Sequence, residues 1–115
     1  MKTGIQLIQE ERERQTSIKG WTADHDDSHI NGELRDAAIS YLMYCDPKAG
    51  EDAVSVWPFE ISSVKPSVGE YHNLIKAGAL IAAEIDRLQR IEAMNLPDDG
   101  TRKSVLAGLS NIGPK

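Results

Sequence analysis

Residues 69–94 constrain the fold more than any other stretch of this chain. Leu74, Ala77, Gly78, Leu80, Ile81, Ala82, Ile85 and Leu88 make this helix-patterned segment apolar almost all round through its middle. A helix of that kind is expected to be buried. The small residues Ala77, Gly78, Ala79, Ala82 and Ala83 permit close approach of neighbouring helices. Ser67 and Glu70 stand at the N-cap and N3 spacing of a capping box, which predicts where the helix opens. A chain of 115 residues is one domain, with room for a single core.

The other segments read as cover for that helix. Ile5, Leu7 and Ile8 lead into the helix-favouring run Glu10 to Gln15, predicting a first helix over 4–18 with Glu10 and Arg14 paired at i, i+4. Gly20 ends it, and residues 19–31 read as a polar loop. Asn31 or Ser28 is placed to cap a second helix running to about Tyr44. Its face is Leu34, Ala37, Ala38, Tyr41, Leu42 and Cys45, and Asp46-Pro47 stops it. Residues 46–68 read as a long irregular loop between helices two and three, punctuated by Pro47, Gly50, Pro58 and Pro66. Pro58 argues against a central strand there, so Trp57, Phe59 and Ile61 are expected to pack back on the helices. A turn over Leu96 to Gly100 and a short C-terminal helix over about 101–112 complete the chain. The expected fold class is all-α, a three to four helix bundle forming a single domain over 1–115.

Composition narrows the function. A net charge of −5 argues against a non-specific nucleic-acid binder, which needs a basic face. It leaves room for a small anion held by a local cationic pocket. The single cysteine, Cys45, excludes an internal disulfide framework and fits a reducing compartment. The longest apolar run, Ala77 to Ala83, is far too short for a membrane span, and the first residues hold no secretory h-region. The expectation is a cytoplasmic protein without membrane or nucleic-acid partners. The same apolar run predicts a homo-oligomer, because a small helical unit with such a helix completes its core against a second copy.

Three constellations carry potential chemistry. Glu10-x-x-Glu13 and Glu33-x-x-Asp36 are carboxylate pairs at i, i+3, and two such helix faces brought together can hold Mg²⁺. They equally suit solvated helix faces. The second constellation is Trp21-Thr22-Ala23-Asp24-His25-Asp26-Asp27-Ser28-His29. Its histidines, at i, i+4, would chelate a transition metal if helical, with Asp26 or Asp27 assisting. Alternatively these groups cap the next helix and hydrogen-bond one another or a ligand. An EF-hand is excluded, since a loop counted from Asp24 puts His29 at the glycine position and Arg35 at the bidentate glutamate position. The third is a set of cations near apolar surface, Arg12, Arg14, Lys19, Arg35, Lys65 and Lys76. With them come the aromatics Trp21, Trp57, Tyr41, Tyr44 and Tyr71, as stacking surfaces for a base or as ordinary core.

Glu11-Arg12-x-Arg14-Gln15, Gly20-Trp21-Thr22-x-x-His25-Asp26-Asp27-x-His29, Gly32-Glu33-Leu34-x-x-Ala37-Ala38, Trp57-Pro58 and Lys76 to Leu88 resemble a group of small phage and prophage proteins. In helix order and charge placement the chain also resembles degenerate MazG-type domains, all-α oligomers that use Mg²⁺ to hydrolyse nucleoside triphosphates to monophosphates and pyrophosphate. It departs from them in two places. Only Glu33 lines up well with the acidic pair of the second helix, and Lys76 stands where that family favours Asp, Glu or Gln.

The resemblance implies two functions, and the residues leave a third. The first is a phage-type, counter-defence sponge that binds a nucleotide or nucleotide-derived signal without turnover and without a cofactor. Its candidate residues are Arg14, Trp21, His25, Asp26, Asp27, His29, Glu33, Trp57 and Lys76. The second is a MazG-like pyrophosphohydrolase using Mg²⁺ on Glu10, Glu13, Glu33 and Asp36. The third is a protein-interaction module acting on a host protein.

Overall fold

The computed structural model describes residues 1–67, 70–97 and 100–110. Among them the chain is all-helical, with six α-helices and no strand: α1 (Gly4–Ser17), α2 (Ala23–Asp27), α3 (Glu33–Met43), α4 (Gly50–Val56), α5 (Glu70–Met94) and α6 (Thr101–Ser110). Two short 3₁₀ turns, Pro47–Ala49 and Ile61–Ser63, flank α4. The bundle expected from sequence is present, with more helices than three or four. Two of them lie where irregular chain was expected, α2 inside the 19–31 loop and α4 inside the 46–68 loop.

Local chemistry accounts for both. Thr22 caps α2, its side-chain oxygen accepting from the His25 N–H, and Asp24 and Asp26 sit in the first turn where the helix dipole favours negative charge. In α4 the first turn carries Glu51 and Asp52, and the helix is held to α3 by the buried Ser40 hydroxyl, which donates to the Ala53 carbonyl at 2.7 Å. Such short helices are unstable alone, and this tertiary bond replaces what propensity lacks. At α1, Thr3 and Gln6 form a reciprocal capping box. The expected pairing of Glu10 with Arg14 is absent: Glu10 bonds Lys2, and Arg14 instead forks onto Glu11 one turn back.

Neither Ser28 nor Asn31 caps α3. The cap position is Gly32 at φ 80°, a left-handed conformation that glycine adopts without penalty. The Glu33 carboxylate reaches back to accept the Asn31 N–H at 2.5 Å. Val68 and Gly69, inside the expected Ser67–Glu70 capping box, and Asp98 and Asp99 of the expected turn lie outside the described residues.

Helix α5 is the spine, packing chiefly on α3 and then on α1. The core joins Leu34, Ala37, Ala38 and Tyr41 of α3 to Ala77, Leu80 and Ala83 of α5, closed by Trp57. Alanines dominate both faces, so the backbones approach closely and few side-chain conformations are lost. Gly78 marks the α1 crossing, where a Cβ would lie 2.6 Å from Cδ1 of Ile8. Tyr41 and Trp57 bury their rings and satisfy their polar tips: the Tyr41 hydroxyl accepts from the Lys65 N–H, and the Trp57 indole N–H reaches the Glu60 carbonyl and the Ser63 hydroxyl.

The expectation that α5 is buried all round is corrected. Leu74, Ile81, Ile85 and Leu88 are each 44–51% exposed. Recurring at i, i+7, i+11 and i+14, they share one face, and the packed helices cover the opposite one. Of the loop aromatics expected to pack back, Trp57 is buried and Phe59 rests on the core, whereas Ile61 is exposed.

Candidate functional site

The segment between α1 and α3 is bolted down from both sides. Arg12 of α1 donates to the Asp26 carboxylate at 2.8 Å and to the Trp21 carbonyl at 3.3 Å, and the Trp21 N–H bonds the Gln15 carbonyl at 2.9 Å. From the other side Arg90 of α5 grips Asp27, Nη2 to Oδ1, at 2.8 Å. Asp26 is wholly buried, so its charge requires this guanidinium. The clamp sets Trp21 as a wall between two adjoining chambers.

The first chamber, of about 290 Å³, is lined by Glu11, Arg14, Gln15, Lys19, Trp21, Tyr41, Lys65 and Lys76. Four cations thus face one carboxylate in a chain that is acidic overall. The carboxylate is already committed: Arg14 donates to it through Nε and Nη2 at 2.8 and 2.7 Å, and the Gln15 amide adds a third bond at 3.2 Å. Among the described residues no carboxylate pairs with Lys19, Lys65 or Lys76. Lys19 lies over the Trp21 ring, and Lys76 lies over the Tyr41 ring and donates to the Lys65 carbonyl.

The titration behaviour follows this crowding. Burial would raise the Glu11 pKa, but the hydrogen bonds and charge of Arg14, with Gln15 and Lys76, hold it below the ordinary value. Lys76 is pushed down, first by burial and further by Arg14 and Lys19, against the opposing pull of Glu11. Burial pushes the Tyr41 hydroxyl up. A cation crowded by burial and like charges is relieved by an incoming anion.

The second chamber, of about 260 Å³, is aromatic and lined by Trp21, His25, His29, Leu34, Trp57, Phe59, Glu60, Ser63 and Leu80. A continuous arc of rings forms its wall. Trp21 stacks on His25, His25 meets His29 edge-on, His29 meets Phe59, Phe59 meets Trp57, and Trp57 meets Tyr41, with centroids 4.7–5.8 Å apart. Each chamber is slightly smaller than a typical ligand pocket of roughly 300–1,000 Å³.

Of the sequence-derived candidates, Arg14, Trp21 and Lys76 line the cationic chamber, and Trp21, His25, His29 and Trp57 line the aromatic one. Glu33 stands behind His29, its Oε2 3.3 Å from Nδ1. Burial would raise the Glu33 pKa, yet the backbone N–H groups of Asn31 and Glu33 and the His29 ring keep it low. Asp26 and Asp27 line neither chamber; they are the anchor points of the two arginine clamps.

The four carboxylates named for Mg²⁺ are not brought together. Glu10 pairs with Lys2, Asp36 with Arg35, and Glu33 serves Asn31 and His29; Glu13 is exposed. Among the described residues no group of three or more His, Cys, Asp or Glu side chains is placed to hold a metal ion. Glu10 and Glu13 lie exposed on α1, and α3 packs on α5 through Leu34, Ala37, Ala38 and Tyr41 rather than through Glu33 and Asp36.

Glu11 and Gln15 were missed as chamber residues. Their signal was available as a helical i, i+4 pair bracketing Arg14, but a Glu and a Gln on a charged helix read as solvent-facing. Gln15 is in fact buried, and its Oε1 has no hydrogen-bond partner among the described residues. Comparison with protein-family models, with curated proteins and with solved structures finds no match. The functional reading therefore rests on the two chambers. Among the described residues no helix is long and apolar enough to cross a membrane.

Proposed function

We propose that this protein binds a nucleotide or a nucleotide-derived signalling molecule, without turning it over, in the two chambers that meet at Trp21. The observation that carries this is the cationic chamber itself: Lys19, Lys65 and Lys76, with no carboxylate partner among the described residues, beside an indole face and a ring of aromatics. Phosphate oxygens suit the three lysines, as point charges with freely rotating donors. A base suits the Trp21 face, where stacking contributes about 1–3 kcal/mol per base. Dispersal of Glu10, Glu13, Glu33 and Asp36 favours retention over Mg²⁺-assisted hydrolysis, since among the described residues no carboxylate cluster is placed to clamp a metal against a triphosphate. A sponge of the phage counter-defence kind is the biological role that fits a binder of this sort. We further propose that the partner of the open apolar face on α5 is a second copy of the chain.

The test is mass spectrometry of protein-bound and free fractions after incubation with NTPs, dNTPs and cyclic nucleotides in the presence of Mg²⁺. Retention of an intact compound, released on heating and lost in Lys76→Met while that variant still melts cooperatively, is the expected result. Monophosphate and pyrophosphate accumulating in the free fraction, or retention undiminished in Lys76→Met, would overturn it.

A further inference from the structure

His25 and His29 have an arrangement that anion binding at the lysines does not explain. Nε2 of His25 and Nε2 of His29 face each other at 3.4 Å. Behind each ring stands a carboxylate: Asp26 Oδ1 is 3.1 Å from Nδ1 of His25, and Glu33 Oε2 is 3.3 Å from Nδ1 of His29. The Nε2···Nε2 contact is at hydrogen-bond distance when one ring donates to the other; with a proton on Nδ1 of each ring, facing its carboxylate, both Nε2 atoms would instead be free to coordinate one ion.

The spacing indicates which cation. Two nitrogens bound to one metal at about 2.0–2.1 Å, with a tetrahedral angle between them, stand roughly 3.3–3.4 Å apart. The pair therefore already has the bite of a tetrahedral ion, and its carboxylate–histidine backing is the arrangement that orients imidazole ligands. The surroundings are rigid for so short a segment. His25 is stacked on Trp21, His29 abuts Phe59, the His29 N–H bonds the Asp26 carbonyl, and Asp26 is fixed by Arg12. Both rings line the aromatic chamber and remain partly exposed, with side chains 34% and 20% accessible.

We propose that His25 and His29 form a two-imidazole site for a borderline divalent transition ion of the Zn²⁺ type. Among the described residues no third His, Cys, Asp or Glu joins them. The remaining coordination positions open into the chamber and are filled by water or by a donor atom of a bound molecule. The site uses none of the lysines, opens into the aromatic chamber that the proposed nucleotide would share, and is tested with the metal alone.

The experiment is a titration of the full chain, prepared without a polyhistidine tag and stripped with chelator, with Zn²⁺ against a chromophoric competitor and with Co²⁺ by visible absorption. One equivalent is expected to bind, with tetrahedral Co²⁺ bands. His25→Gln and His29→Gln are each expected to weaken binding at least tenfold, and Glu33→Gln by about 10–100-fold through its effect on His29. His72→Gln, on the far part of α5, is the variant expected to leave affinity unchanged. Absence of binding, or wild-type affinity in both His25→Gln and His29→Gln, would overturn the site. Nitrogen-15 NMR of the wild-type imidazoles is a reading that needs no variant. Zn²⁺ should shift Nε2 of His25 and His29 while Nδ1 stays protonated, and unmoved resonances would refute the proposal.

Discussion

Severing the Arg12–Asp26 clamp should cost more from one side than from the other. Asp26 is 0% exposed as a residue, whereas the Arg12 side chain keeps 17% of its surface and has two further acceptors, the Thr16 hydroxyl and the Trp21 carbonyl. Arg12→Leu strands a fully buried carboxylate without its counter-ion, a change that costs about 3–5 kcal/mol. Asp26→Asn leaves a guanidinium that retains water and two acceptors, and removes one charge-assisted hydrogen bond, worth about 1.5–3 kcal/mol. Domains are stable by only about 5–15 kcal/mol in total, so Arg12→Leu removes a large fraction. The assay is urea unfolding followed by circular dichroism. With a slope near 2 kcal/mol/M, the Arg12→Leu midpoint should fall by roughly 1.5–2.5 M. The Asp26→Asn midpoint should fall by less, and the double variant by less than the sum. Because Arg12 also holds the Trp21 carbonyl, nucleotide retention should weaken in Arg12→Leu below its unfolding range. Equal small losses under about 1 kcal/mol, or a greater loss from Asp26→Asn, would refute the reasoning.

Glu11 supplies a pH test. Its pKa in the folded chain lies below the ordinary 4.5, so it contributes stability that is fully present above that value and is lost as pH falls through the lowered one. Thermal melts of wild type and Glu11→Gln should therefore differ by a constant amount from pH 8 to pH 5, and converge under stronger acid; a gap that widens on acidification would contradict the assignment. The open stripe of α5 is checked by light scattering at micromolar concentration. A mass of two or more chains is expected for wild type, and a single-chain mass for Ile85→Lys/Leu88→Lys, while a monomeric wild type would remove the second copy.

Helices were legible in this chain where periodicity was long. The α5 run, the α3 face from Leu34 to Tyr41 and the start of α1 each repeat over several turns, and a pattern of that length has few alternatives. Helices α2 and α4 were not legible, because five and seven residues carry too little pattern and depend on Thr22 capping and on the Ser40–Ala53 bond. The candidate site divides in the same way. Trp21, His25, His29 and Lys76 stood out by type and density, whereas Gln15 and Glu11 looked like surface until α1 was placed against the loop.

By itself the sequence determined the fold class, the dominance of one apolar helix and the crowding of imidazoles, carboxylates and indole into residues 21–29. These are local or periodic properties, set by side-chain type and spacing along one segment. Tertiary structure alone decided that Lys19, Lys65 and Lys76 share a chamber, that the four acidic residues on α1 and α3 stay apart, and that Asp26 braces the site from behind. Those outcomes depend on how each helix is rotated about its axis when it packs on α5. That rotation is set by the summed burial of alanine, leucine and aromatic surface across three helices, which no single stretch of chain encodes.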